Sequence, residues 1–179
     1  MSNQPTNRNY LSPIGFKFKL DYAPKVDFFC NAANIPGISL GVAVQPNYLK
    51  MVDHPGDILT FEDLTLSFLI DENLENYMEI WNWMNALGFP ETIEQYMDFQ
   101  DEKKKGKDVN NFPEQSDGFL EILNSNYKPQ AKVKFRGMFP FSLTTLQFDT
   151  RERDYTYFTA NVTFKYTMYN IVGVDGKKL

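Results

Sequence analysis

The sequence predicts a mainly β protein with one flanking α-helix, an α+β chain, and three observations predict it. Apolar and polar residues alternate along residues 14–20, 64–70 and, at greatest length, 157–169, which is the two-residue period of a half-buried strand. Only residues 73–87 carry apolar side chains at helical spacing. Aromatic residues make up 16% of the 179 residues, with 16 Phe, 10 Tyr and 2 Trp. A chain so rich in large rings has the means to bury a core and is not disordered.

The elements follow in order. Ile14, Phe16, Phe18 and Leu20 point one way, and Gly15, Lys17 and Lys19 the other. Residues 26–35 read as a second strand, stopped by Pro36-Gly37. Residues 38–45 form a weaker third, interrupted by Gly41. Residues 46–57 hold Pro46, Pro55 and Gly56 and read as a hairpin-like excursion or long loop. The strand at 64–70 sets Leu64, Leu66, Phe68 and Ile70 on one face.

Asp71-Glu72-Asn73 then places acids where the free N–H groups of a helix start favour them. Gly88 and Pro90 end that helix. Leu74, Tyr77, Met78, Trp81 and Met84 form one stripe, and Ile80, Trp83 and Leu87 widen the apolar arc past a half-turn. One sheet needs a narrower stripe. Either a loop of the same chain covers Trp83 or a neighbouring subunit does, and the expectation is a second subunit over Ile80 and Trp83, since Trp is enriched where interfaces close.

Residues 96–118 change character, with the run Asp101-Glu-Lys-Lys-Lys-Gly-Lys-Asp108, and read as a solvated, charged loop inserted into the domain. Residues 119–123 and 131–136 are two further strands joined by a turn, and Gly137 and Pro140 bend the chain before residues 142–148. In the last strand Phe158, Ala160, Val162, Phe164, Tyr166 and Met168 share one face. Thr159, Asn161, Thr163 and Lys165 lie on the other, which can line an aqueous surface. At roughly twice the usual five or six residues, this strand suits a barrel or an assembly wall better than a compact enzyme. The domain organisation is a flexible arm at 1–13, one domain at 14–171 with the insertion at 96–118, and a C-terminal tail at 172–179.

Composition narrows the function. The net charge is −5 and the pI about 4.9, which argues against a basic nucleic-acid binder. Cys30 is the single cysteine and His54 the single histidine, so an internal disulfide and a multi-Cys zinc site are excluded. The polar N-terminus lacks the apolar core of a secretion signal. No run nears the roughly 20 apolar residues of a membrane helix. A reducing cytosol is the expected place of synthesis. The charge is segregated: residues 51–102 contain 13 acids and no Lys or Arg, leaving +8 on the rest of the chain. Opposite surfaces of a folded subunit can then differ in sign, as a head-to-tail contact requires.

Chemical motifs are absent. There is no phosphate loop, nucleophile elbow, H-E-x-x-H or dinucleotide fingerprint. Cys30 beside Phe28 and Phe29 reads as an inert buried thiol rather than a partner of His54. Asp53-His54-Pro55-Gly56-Asp57 offers one imidazole and two carboxylates on a Pro-Gly loop, too little for a metal site. No catalytic residue, metal or cofactor is expected. Exposed Tyr and Trp leave a carbohydrate-binding β-sandwich as a distant alternative, with a carboxylate hydrolase beside it.

Three stretches carry a family resemblance: Asn31-Ala-Ala-Asn-Ile-Pro-Gly-Ile-Ser-Leu40, His54-Pro-Gly-Asp through Ile70-Asp-Glu-Asn73 with the Trp-bearing helix, and Ala131-Lys-Val-Lys-Phe-Arg-Gly-Met-Phe-Pro140 through Gln147-Phe-Asp149. In this order, and followed by an amphipathic strand, they resemble the tail tube proteins of contractile-tailed bacteriophages over residues 14–171. The resemblance implies a β-sandwich or partly closed barrel with one flanking helix. It implies hexameric rings that stack around a lumen through which DNA passes. It also implies sheath and baseplate partners, a virion tail location after assembly in host cytoplasm, and no active site. Residues 46–57 match the loop that reaches the next ring, so Asn47, Tyr48, Leu49, Lys50 and Met51 join Ile80 and Trp83 as expected interface residues. Thr159, Asn161, Thr163 and Lys165 are the expected lumen face. A tube initiator or baseplate hub adaptor of the same fold is the alternative.

Overall fold

The computed structural model describes residues 10–88, 94, 97, 115–149, 157–173, 176 and 177. The charged stretch 98–114, most of the arm and part of the tail lie outside these residues, as does the organisation expected for them. Eleven elements are described: β1 (Phe16–Leu20), α1 (Pro24–Phe29), β2 (Cys30–Ala33), β3 (Ile38–Pro46), β4 (Met51–Phe61), β5 (Leu64–Leu69), α2 (Glu75–Gly88), β6 (Ser116–Leu123), β7 (Pro129–Leu143), β8 (Thr159–Lys165) and β9 (Met168–Gly173).

One antiparallel sheet runs β1-β6-β7-β8-β5-β2, with β9 also on β7. Its organising strand is β7. The first half of β7 pairs with β6 and β9, from Ala131↔Gly173 to Arg136↔Met168, and the second half pairs with β8, from Phe139↔Lys165 to Leu143↔Val162. Between the halves stands Gly137 at φ +64°. A Cβ there would approach Thr167 Oγ1 to 2.7 Å, so glycine is needed for both its conformation and its space. The long last strand of the sequence reading is therefore two strands. It breaks at Tyr166-Thr167, opposite the bend in β7, and Thr167 N donates to Arg136 O at 2.9 Å across that corner. Ala160, Val162 and Phe164 are buried as the alternation requires, but the phase shifts after the break and Met168 is exposed.

The two halves of the bent sheet enclose one core. Phe18, Leu20, Leu120, Val133 and Phe135 come from one half, and Leu64, Leu66, Phe68, Val162 and Phe164 from the other. The sheet is a sandwich-like wrap and does not close into a barrel: its edge strands β1 and β2 do not pair, and α1 joins them in sequence.

Helix α1 is the clearest departure from the sequence reading, which has a strand at 26–35. Pro24 opens the helix at its first turn. Ala23 and Val26 are fully buried and Cys30 partly so, a spacing of three to four that belongs to a helix. The Asp27 carboxylate accepts Leu20 N–H at 2.7 Å and ties α1 back to β1.

Helix α2 runs from Glu75 to Gly88, two residues later than the sequence suggests at its start. Asn76, in its first turn, is buried, donating to Leu69 O at 2.7 Å and accepting from Asp71 N. These bonds fix the angle at which the chain leaves β5.

Candidate assembly surfaces

Strands β3 and β4 form a separate two-stranded sheet. This is the hairpin-like excursion expected from the prolines and glycines, and it takes in the weak strand before it. Its register pairs Ile38 with Phe61, Leu40 with Leu59, Val42 with Pro55, Val44 with Asp53 and Pro46 with Met51. Paired residues of an antiparallel ladder share a face, so one face of the hairpin is almost wholly apolar. Ser39, Thr60, His54 and Gln45 occupy the other, where His54 Nε2 meets Gln45 Oε1 at 3.0 Å. Gly56 lies so close to Gly41 that a Cβ would come within 2.6 Å of the Gly41 carbonyl oxygen. The bulge there depends on that glycine.

The apolar face is bare. Ile38, Leu40, Val42 and Val44 are each 50–62% exposed. At the tip Asn47 N donates to Lys50 O at 3.1 Å, and Tyr48 and Leu49 are 99% and 89% exposed. An isolated two-stranded hairpin is marginal in water, and this one turns its greasy side outward. Its base, in contrast, is anchored. Tyr166 Oη donates to Glu62 O at 2.7 Å, and Tyr169 Oη to Pro36 O at 2.9 Å. Phe61 packs on both tyrosine rings at 6.2 and 5.6 Å between centroids.

Of the sequence-predicted contacts, Asn47, Tyr48, Leu49, Lys50 and Met51 are exposed at or beside the tip. Ile80 and Trp83 are a correction. Both are fully buried within the subunit, with the Trp83 ring 4.3 Å from Tyr22 and 6.1 Å from Phe164 between centroids. The wide arc of α2 is covered mainly by its own chain, because the bent sheet and the loop before α1 wrap more of the helix than a flat sheet could. The large apolar side chains left exposed are Leu74, just before α2, and Met78 and Trp81 on it.

Thr159, Asn161 and Lys165 project from the outward face of β8, with Thr163 half-buried among them. Thr163 stands opposite Thr65 and Ser142, and Asn161 opposite Ser67. This wall is hydroxyl- and amide-rich. Its one cation, Lys165, reaches Asp63 Oδ1 at 2.6 Å, so among the described residues the wall is close to neutral.

The opposite half of the sheet is basic on its outside. Lys17, Lys19, Lys132, Lys134 and Arg136 alternate with buried residues on β1 and β7. Lys19 and Lys132 stand over the Phe119 ring at 5.9 and 5.1 Å, and Lys132 pairs with Glu121 at 2.6 Å. The acids collect elsewhere: Asp53 and Asp57 on the hairpin, Glu62 and Asp63 at its base, and Glu75 and Glu79 on α2. Folding therefore keeps the charge blocks largely apart, with Lys25–Glu75 at 2.6 Å as one cross-tie.

Among the described residues no reactive group of side chains is brought together. Cys30 and His54 lie on different units, and burial pushes the Cys30 thiol up to about 11. Among the described residues no three His, Cys, Asp or Glu side chains are grouped to hold a metal. No described helix is long and apolar enough to cross a membrane.

Fold and surfaces together define a structural assembly subunit. The family model for phage tail tube proteins matches residues 2–172, and the chain belongs to that family, whose members are structural proteins and not enzymes. It is thus a structural protein of the tail tube type. A search of curated proteins found no match. Several solved structures share the fold. A chain in the cryo-EM structure of the PVC extracellular contractile injection system sheath/tube terminator is 16% identical, with 93% of this chain and 100% of that one covered and a TM-score of 0.61. A chain of the anti-feeding prophage tube-terminating cap is 15% identical over 96% and 97%, at 0.60. One from the PVC sheath–tube complex in its extended state is 14% identical over 93% and 94%, at 0.56.

Proposed function

We propose that this chain forms hexameric rings that stack into the tail tube and serve as the conduit for DNA ejection. The observation that carries this reading is the β3–β4 hairpin, anchored firmly at its base and apolar along a bare face. Such a surface has a partner in the working state, and in a homopolymer the partner is another copy. Asn47, Tyr48, Leu49, Lys50 and Met51 reach the neighbouring ring. The outward wall of β8, with Thr159, Asn161, Thr163 and Lys165, faces the lumen. A neutral wall retains DNA poorly, since retention scales with the phosphates neutralised, and a conduit needs sliding rather than binding. The basic outer side of β1, β6 and β7 is left for the sheath and baseplate, and assembly takes place in the host cytoplasm before the tail joins the virion.

Negative-stain electron microscopy of the purified chain tests the reading. Six-fold rings and growing tubes are the expected result. Rings that never stack would make it a single-layer initiator, cap or hub adaptor of the same fold. Monodisperse monomers at high concentration would refute self-assembly.

A further inference from the structure

We infer that the hairpin tip of one copy seats in an apolar groove at the far end of the next copy, with Lys50 set against Asp71 and Glu72. The inference rests on the self-assembly proposed above and names the surface that receives the tip.

The groove encloses about 610 Å³ between the end of β5, the start of α2 and the approach to β8. Leu69, Ile70, Leu74, Phe148 and Phe158 supply its apolar walls. The Phe148 and Phe158 rings pack 4.8 Å apart between centroids, yet Phe148 remains 75% exposed. Asp71 and Glu72 line the same groove. Asp71 Oδ1 is shut off from solvent and has no hydrogen-bond partner among the described residues. An unsatisfied buried carboxylate oxygen is costly, and a cation brought to the groove offsets that cost.

The tip has the matching character. Tyr48 and Leu49 are nearly bare, and beside them stands Lys50, the only Lys or Arg between Val26 and Glu102. A single positive charge in an otherwise acidic stretch thus sits at the foremost point of the hairpin. Apolar side chains with one cation meet an apolar groove with two carboxylates.

Topology puts the two surfaces at opposite ends of the same strands. Strand β5 begins at Leu64, just after the hairpin ends at Phe61, and finishes at Leu69 in the groove. Strand β2 runs back the other way, from Cys30, next to the groove residue Phe29, to Ala33 near the hairpin. Six strand residues separate them by about 20 Å. Unlike, complementary surfaces at the two ends of a subunit make a heterologous contact, which repeats from copy to copy and extends as a filament where the repeat does not close into a ring. A tip that paired with another tip would instead stop at a dimer.

Cross-linking tests this on the full chain in a Cys30→Ser background. Leu49→Cys and Leu69→Cys proteins are mixed, oxidised mildly, and examined on non-reducing gels and by electron microscopy. A disulfide-linked dimer specific to the mixture is the expected result. In parallel, Lys50→Glu should raise the protein concentration needed for polymer growth about tenfold with the monomer melting temperature unchanged, and adding Glu72→Lys should restore growth. Polymers that grow without the mixed disulfide, or that ignore Lys50→Glu, would overturn the groove assignment and leave self-assembly standing. A mixture that remains monomeric at its highest soluble concentration would overturn both.

Discussion

The bent sheet and the β3–β4 hairpin are built from the same kind of alternating strand and meet opposite fates. In β5 and β8, Leu64, Leu66, Phe68, Val162 and Phe164 have no exposed surface. In β3, Ile38, Leu40, Val42 and Val44 alternate just as regularly and stay half exposed or more. The sheet finds its cover within one chain because β7 bends at Gly137 and brings its two halves around a shared core. The hairpin is tied to the body at its base by Tyr166 and Tyr169, and among the described residues its apolar face stays uncovered. Alternation says that a face will be buried; it does not say by which molecule.

Mutations can break this comparison, and they rank by expected effect. Trp83→Ala should cost the monomer about 3–5 kcal/mol, read as a lower urea midpoint at unchanged slope. A near-neutral result with failed assembly would return Trp83 to the interface. Tyr166→Phe together with Tyr169→Phe removes the two hydrogen bonds that anchor the hairpin, worth about 1 kcal/mol each. Hydrogen exchange should then quicken in β3 and β4 while the core of β5 and β8 keeps its protection. Equal loss in both regions would mean that hairpin and body unfold as one unit.

Asp27→Asn should act through pH. Burial raises the Asp27 carboxyl to about 7 despite the Leu20 N–H bond, against an unfolded value near the ordinary 3.8. Between these values the native state holds the extra proton, so stability falls as pH rises from about 4 to about 7 and stays lower above that. The amide retains the Leu20 bond without a charge to desolvate. Its melting-temperature advantage over the parent should therefore be larger at pH 8 than at pH 4; an equal gain at both would put the effect elsewhere. Leu40→Ser with Val44→Ser should change monomer stability least, by under about 0.5 kcal/mol, while tubes seen by electron microscopy disappear. Normal tubes from this variant would separate the bare face from assembly.

Much of this molecule is legible in its residues. The strands at 64–69 and 159–165, the helix ending at Gly88 and the excursion around Pro46 and Pro55 follow from period, punctuation and capping, which are local properties of the chain. The acidic block at 51–102 and the absence of any paired His or Cys chemistry are legible for the same reason. Helix α1 is misread as a strand: its bulky run imitates one, and the Ala23, Val26 and Cys30 spacing is the local signal that points to a helix.

Tertiary structure decided the rest. Whether Trp83 faces inward or outward depends on how far a sheet wraps a helix, and that depends on a backbone turn 54 residues away at Gly137. The break at Tyr166-Thr167 answers the same bend across a hydrogen-bonded pair. The groove at Leu69, Leu74 and Phe148 joins segments that no sequence period connects. Local chemistry sets which side chains avoid water, whereas the three-dimensional path of the chain sets which of them succeed alone and which wait for another copy.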